Sequence, residues 1–353
     1  MSTVNTVLGP ISADKLGTTI VHEHLFIDLS CYFREMKTEE EKRAFAEPVT
    51  LENLHRIHRD PYGSRDNCIL DDVDLAVKEV NIFKALGGNT IVDVTLSDIG
   101  RDVRKLAEVS QRTGVNVLAG CGHYILWAQP EKTRNMSIAQ LEDEMMHDVM
   151  DGIDGTDIKA GIIGEIGTGS PVEPQEEKVL RAAARVQRKT GLAITIHVHP
   201  PGRWGNTVLD ILEDEGVAPD RIILDHVDVS LAHLDIDFDK SMDYMSGLLA
   251  RGCYLEFDLC GNSHYFQTAT VSWWMPTDRE RSKALAQLVK QGYGDRLMLS
   301  QDVGHKHYLQ SYGGWGYGHV LSTFSHHMRE AGITDQQIGK FLIDNPRAVL
   351  PVK

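Results

Sequence analysis

The stretch Gln175-Glu176-Glu177-Lys178-Val179-Leu180-Arg181-Ala182-Ala183-Ala184-Arg185-Val186-Gln187-Arg188-Lys189-Thr190, continued by Gly191-Leu192-Ala193-Ile194-Thr195-Ile196-His197, decides the fold. Its first part opens on glutamine and glutamates and closes on Arg188 and Lys189, the polarity that a helix dipole favours, and Gly191 supplies a helix stop. Its second part is a short β-branched apolar run, the composition of a buried strand. Helix followed by buried strand is the unit of a parallel α/β sheet.

The same alternation recurs in both directions. Strands are expected at Thr18 to His22, Asn89 to Val94, Asn116 to Ala119, Ala160 to Gly164, Ala193 to His197, Arg221 to Leu224, Cys253 to Phe257 and Arg296 to Leu299. Eight such units point to a closed (β/α)8 barrel, and 353 residues lie within the range of one barrel with insertions, so a single domain over residues 1–353 is expected. An open doubly wound sheet is the alternative, but no GxGxxG follows the first strand. Ser30 to Asp71 is long and polar, and reads equally as a lid or a surface insertion.

Hydrophobic residues at 42% and charged residues at 25% are ordinary for a globular chain with a substantial core. Thirty-six Lys and Arg against 51 Asp and Glu give a formal charge of −15, which disfavours nucleic acid and anionic membranes as partners. A small-molecule substrate is expected, and a homodimer is left open. Cys31, Cys68, Cys121, Cys253 and Cys260 form no CxxC pair and read as reduced thiols. With no signal-like leader and no long apolar run, a cytoplasmic location is expected.

The chemistry is carried by the strand ends. His22-Glu23-His24 closes the first strand, and residues two apart on a strand point the same way, so both imidazoles can grip one metal. Alone, an HxH among 16 histidines reads more readily as ordinary surface or core residues. However, Glu165 follows the fourth strand, His197 and His199 close the fifth, His226 the sixth and Asp302 the eighth. Barrel enzymes place their functional groups at these carboxyl ends, so the five segments would converge on one mouth. Four histidines and two carboxylates suit two divalent ions, zinc first, with manganese or cobalt as alternatives. Of the fifth-strand pair, His197 terminates the apolar run and is taken as the ligand, and His199 as a pocket-lining group.

These motifs resemble the phosphotriesterase family of the amidohydrolase superfamily, including its lactonase-like and phosphotriesterase-homology members. The likeness is carried by Gly17-Thr18-Thr19-Ile20-Val21-His22-Glu23-His24, by Ala160-Gly161-Ile162-Ile163 and by Asp344-Asn345-Pro346. It implies that His22 and His24 hold the more buried ion with Asp302, that His197 and His226 hold the more exposed one, and that the residue after the fourth strand bridges them. The commonest family pattern has a carbamylated lysine at the bridge; Gly164-Glu165-Ile166-Gly167 has a glutamate, which offers the same bidentate carboxylate on a shorter arm.

The resemblance also matches Asp258 to a family aspartate and places it among the substrate-binding residues, while Leu259 replaces the basic residue of many members. Tyr124 falls where lactonase-like members carry a tyrosine near the attacked carbonyl, although packing would explain it nearly as well. Lys306, with His305 and His307, lies beyond the eighth strand, either binding a carboxylate or phosphate or solvated in a loop. Trp273-Trp274-Met275-Pro276 fits a lid or an oligomer contact. The expected reaction is hydrolysis by a hydroxide bridging the two ions, with Asp302 taking the proton. A lactone or carboxylic ester is the preferred substrate and a phosphoester the alternative. A catalytically silent metal-containing binding protein is the rival of another class, whereas a serine hydrolase is disfavoured because no GxSxG elbow is present.

Overall fold

The computed structural model describes residues 2–200, 202–232, 237–267 and 272–352. Eight parallel strands form one sheet in sequence order: β1 Thr19–Glu23, β2 Thr90–Asp93, β3 Asn116–Cys121, β4 Ile162–Thr168, β5 Ile194–Val198, β6 Ile222–Asp225, β7 Tyr254–Phe257 and β8 Leu297–Leu299. Helices α1 Val73–Ala85, α2 Val103–Thr113, α3 Ile138–Met150, α4 Pro174–Thr190, α5 Gly205–Asp214, α6 Phe238–Ala250 and α7 Asp278–Lys290 follow β1 to β7 in turn. This is the (β/α)8 barrel, with every expected strand in place.

The expected fourth strand stopped at Gly164. The observed one runs on to Thr168, so Glu165 lies within it rather than after it. The register of β4 on β5 slips between Ile163 and Ile166, and that of β1 on β2 slips between Ile20 and Glu23. Irregularities of this kind bend a strand and re-aim its side chains. Both fall where a candidate metal ligand must turn into the mouth.

Side-chain alternation converts the barrel interior from apolar to polar. Val21, Val92, Leu118, Ile162, Ala193, Ile223, Tyr254 and Met298 pack into one interior cluster. The amino-terminal hairpin Thr3–Thr6 with Gly9–Ser12 closes the floor beneath it, donating from Asn5 Nδ2 to the Ala160 carbonyl and from the Val7 N–H to that of Val117. Two residues further along β5 to β8 the same face carries Thr195, Asp225, Glu256 and Ser300, and two further still on β5, β7 and β8 come His197, Asp258 and Asp302.

The segment Ser30–Asp71 is pinched at its neck, where Ile27–Asp28 pairs antiparallel with Ile69–Leu70. Within it Thr38 and Glu41 form a reciprocal cap for the helix Glu39–Phe45. Its ends bring Tyr32 and Tyr62 over the barrel mouth, so this insertion forms part of the pocket wall.

Candidate metal centre and substrate pocket

Glu165 stands at the middle of the mouth, buried, with its two oxygens facing different groups. Oε1 is 3.3 Å from His24 Nε2. Oε2 is 3.4 Å from His22 Nε2, 3.1 Å from His197 Nδ1 and 3.8 Å from His226 Nε2. Asp302 Oδ1 completes the deeper side, 3.1 Å from His24 Nε2 and 3.8 Å from His22 Nε2. His22, His24 and Asp302 have ligand atoms close enough to share one ion, as do His22, Glu165 and His226. His197 joins through Glu165 and through His226 Nε2, 2.8 Å from its Nδ1. All six residues taken from the sequence as metal ligands therefore meet in one place.

Outer contacts aim these rings. His24 Nδ1 is 2.8 Å from the Thr95 hydroxyl, and His22 Nδ1 is 3.4 Å from both Asp225 and Asp258. Asp258 also accepts the His226 backbone N–H at 3.0 Å and lies 3.1 Å from His226 Nδ1. A carboxylate behind a histidine fixes its tautomer and turns the other nitrogen toward a metal. This corrects the expected place of Asp258: it is buried behind the histidines and does not line the substrate space. Two of the convergent residues, His226 at φ 59° and Asp302 at φ 50°, hold left-handed backbone that is uncommon outside glycine. Such conformations persist where the surroundings enforce them, often at functional sites.

The electrostatics call for cations. Burial alone would lower the His22 imidazole, but Glu165 and Asp225 outweigh it and raise it well above its ordinary value. His226 is raised in the same way, against its burial, by Asp258. Burial works the other way on Glu165, yet His22, His197 and His226 hold it well below the carboxylate range. His22 Nε2 and His197 Nε2 are buried without a hydrogen-bond partner. A donor set of imidazoles and carboxylates that must hold protons to balance itself fits divalent ions. His22, His24 and Asp302 would hold one, His197 and His226 another, and Glu165 would be shared.

Above the site opens a pocket walled by residues of the strand ends and of the insertion, among them Tyr32, Tyr62, Tyr124, His199 and Trp273. Tyr124 lines it, its hydroxyl 3.3 Å from His197 Nδ1 and 3.1 Å from that of Tyr32. Burial raises Tyr124 well above its ordinary range, so it keeps its proton at neutral pH. His199 lines the wall beside Trp127 and Trp273. Of the tryptophan pair, Trp273 faces the pocket and Trp274 is exposed.

Lys306, expected to meet substrate, is turned away. Its ammonium lies 2.6 Å from Asp66 in the insertion, outside the pocket lining, because an ion pair with a nearby carboxylate satisfies it there.

The sequence reading passed over several contributors. Asp225 stands next to His226 and two residues beyond inward Ile223, so alternation could have found it. Tyr32 and Tyr62 lie in the insertion, where no periodicity marks an inward face. Glu23 was quoted only as the spacer of the two histidines. Its buried carboxylate accepts from the Gln301 and Val303 backbone N–H groups and the Gln301 side chain, fixing the turn that carries Asp302.

A phosphotriesterase family profile matches residues 2–350. The chain belongs to the phosphotriesterase family. Across the family, the N-acetyltaurine hydrolase of Xenopus tropicalis is 35% identical over 354 residues, covering 99% of this chain and 98% of that protein. The crystal structure of a resiniferatoxin-binding protein from Rhodobacter sphaeroides superposes with a TM-score of 0.93 at 38% identity, over 99% of this chain and 95% of that one. The phosphotriesterase homology protein from Escherichia coli, complexed with phosphate in its active site, gives 0.77 at 29%, over 96% and 99%. This phosphotriesterase-family chain is thus a hydrolase by kinship, with clustered residues able to hold metal.

Proposed function

We propose that the protein is a binuclear metal-dependent hydrolase of a carboxylic acid derivative, whether a lactone, an ester or an N-acyl amide. The observation that carries the reading is the Glu165 carboxylate, one oxygen facing His24 and the other facing His22, His197 and His226. Zinc suits this set of ligands, with manganese and cobalt as alternatives. Two ions bound there would polarise a carbonyl and supply an activated water near neutral pH.

The chain's own groups do the rest. Asp302, partly exposed at the mouth and held well below the carboxylate range by His24 and His22, is ionised and placed to take the proton released on attack and pass it to the leaving atom. The Tyr124 hydroxyl, oriented by Tyr32, donates toward the carbonyl oxygen as charge develops on it. The amide-acting name of relatives 35% identical over 99% of the chain supports attack at carbon and adds N-acyl amides to the substrate class expected from sequence. Fold and ligand set are neutral on that choice.

Phosphoester hydrolysis is the second reading, supported by the phosphate in the Escherichia coli relative. Binding without turnover is the third, supported by the description of the Rhodobacter relative. Zinc- and manganese-loaded protein should be assayed on matched lactones, esters, N-acetyl amides and phosphotriesters. Turnover of acyl substrates that is lost on chelation and restored by metal is expected. Preferential turnover of phosphoesters supports the second reading, and no turnover with two bound ions supports the third; either result overturns the first.

A further inference from the structure

Beside the metal centre, the part of the pocket wall formed by the segment after β8 has a chemistry that the proposed reaction does not use. His305 lines it, 3% exposed, between the rings of Tyr62 and Tyr308, each with its centroid 5.1 Å away. Both of its ring nitrogens are buried without a hydrogen-bond partner. A neutral imidazole has one donor and one acceptor, and leaving both unmade costs stability unless something fills them. Behind it lies His307, whose ring centroid is 5.5 Å away. Asn67 Oδ1 accepts from both the His307 backbone N–H and Nδ1, so His307 carries its proton on Nδ1. Its Nε2 is then a buried acceptor without a partner. Burial pushes His305 to about 4, so this wall is uncharged at neutral pH.

No lysine or arginine lines the pocket among the described residues, and the sequence has none at 201, 233–236 or 268–271. The nearby cations are committed elsewhere: Lys306 to Asp66, Arg34 to Asp60, and Arg203 to Ser241 and the Ser230 carbonyl. The remaining wall combines apolar Ile27, Leu29, Leu259 and Met275 with neutral polar groups such as Asn262, whose amide donates to the Tyr308 hydroxyl at 2.9 Å. A sulfonate, carboxylate or phosphate at the end of the substrate would meet neutral donors there but no cation to offset the loss of its hydration.

We propose that His305 is a specificity-determining residue, and that the pocket takes an uncharged substrate with a polar group, outside the bond that is cut, that hydrogen-bonds to His305, disfavouring one that ends in an anion. The inference rests on the acyl-hydrolase reading. It separates this chain from its relatives named for N-acetyltaurine, whose substrate ends in a sulfonate.

The test uses three N-acetyl amides of similar length: N-acetyltaurine, its neutral methyl-sulfone counterpart and N-propylacetamide. With the zinc-loaded full chain, kcat/KM for the sulfone should exceed that for the taurine conjugate by at least about tenfold. His305→Leu should lower kcat/KM for the sulfone by about tenfold, chiefly through KM, and leave N-propylacetamide within about threefold. Leu259→Arg should raise the relative acceptance of the taurine conjugate. Calorimetric binding of the same three compounds gives an independent readout. If none is hydrolysed while phosphotriesters are, the acyl-hydrolase reading falls, and calorimetry still tests the charge preference. Equal or better binding and turnover of the taurine conjugate by the unaltered protein would overturn the proposal, as would equal losses on all three substrates in the His305 variant.

Discussion

Glu165 departs from the commoner lysine pattern, and the geometry now gives that departure a definite consequence. Its two oxygens address both histidine groups directly, so no carbamate is needed to reach them. Glu165→Gln keeps the size but removes the charge that would offset the two proposed dications. Metal content by elemental analysis should fall from about two ions per chain toward one or none, with turnover falling in parallel. Two tightly held ions and near-normal turnover in that variant would remove Glu165 from the bridge. The fifth strand offers a companion comparison. His197 lies 3.1 Å from Glu165, whereas His199 stands two residues further on against Trp127 and Trp273. His197→Ala and His226→Ala should therefore each empty much of one site, while His199→Ala should retain both ions and alter KM. Equal metal loss in the His199 variant would reverse the assignment.

At the scale of elements, loops from different strands are tied to one another rather than left as independent lids. Glu176, at the start of α4, accepts from the backbone N–H groups of Glu173, Gly169 and Leu126, joining the loops after β3 and β4. The start of α7 does the same for three later loops: Asp278 accepts from the Gly261 N–H and from Arg281, and pairs with His319, while buried Arg281 reaches Asp228 beyond β6. Burial would raise Asp278, but His319 and Arg281 prevail and lower it to about 2. A depressed carboxylate contributes stability that is complete above its ordinary value near 4 and is lost as pH falls toward 2. The contribution is roughly 2 kcal/mol. Metal-free protein should lose stability across that window, and Asp278→Asn should be less stable at pH 6 while showing a flatter acid limb in denaturant titrations. An unchanged acid limb would dismiss the pairing as a source of stability.

These ties explain what the sequence could and could not reveal. Strands such as Ala193 to His197 were legible because a parallel strand buried on both faces is a continuous apolar run, and its last residue then falls at the mouth. The extension of β4 past Glu165 was not legible, since a register slip inserts a residue without changing composition. Asp258 and Lys306 were placed by proximity to the mouth, yet their partners, His226 and Asp66, come from other segments 32 and 240 residues away. No local pattern records such pairings.

For the whole molecule, the barrel's seam and its candidate site share the same residues. β8 and β1 are the two ends of the hydrogen-bonded sheet order, and they are joined by a backbone bond from the Asp302 N–H to the His22 carbonyl at 3.3 Å together with side chains. The Ser300 hydroxyl accepts from the His22 N–H at 3.0 Å, and lies 2.8 Å from the His22 carbonyl and 2.7 Å from Glu23 Oε1, to one of which it donates. Glu23 then holds Gln301 and Val303 on either side of Asp302. Closure of the fold therefore sets the position of a metal-facing carboxylate. Ser300→Ala leaves the buried His22 N–H without its acceptor, a cost of about 1–3 kcal/mol, whereas Glu23 Oε1 keeps both its bonds from Gln301. Glu23→Gln sets an amide NH2 against N–H donors of the 301–303 turn and should cost about as much. Both variants should lower the Tm of the metal-free protein by several degrees, and should speed amide exchange at residues 300–303 more than in α4. Added zinc should recover part of the lost stability, because ions binding His22, His24 and Asp302 would pin the same seam from the other side. A Ser300→Ala protein with unchanged Tm and unchanged exchange at 300–303 would mean that the backbone closes the barrel unaided, and that the site is held independently of the seam.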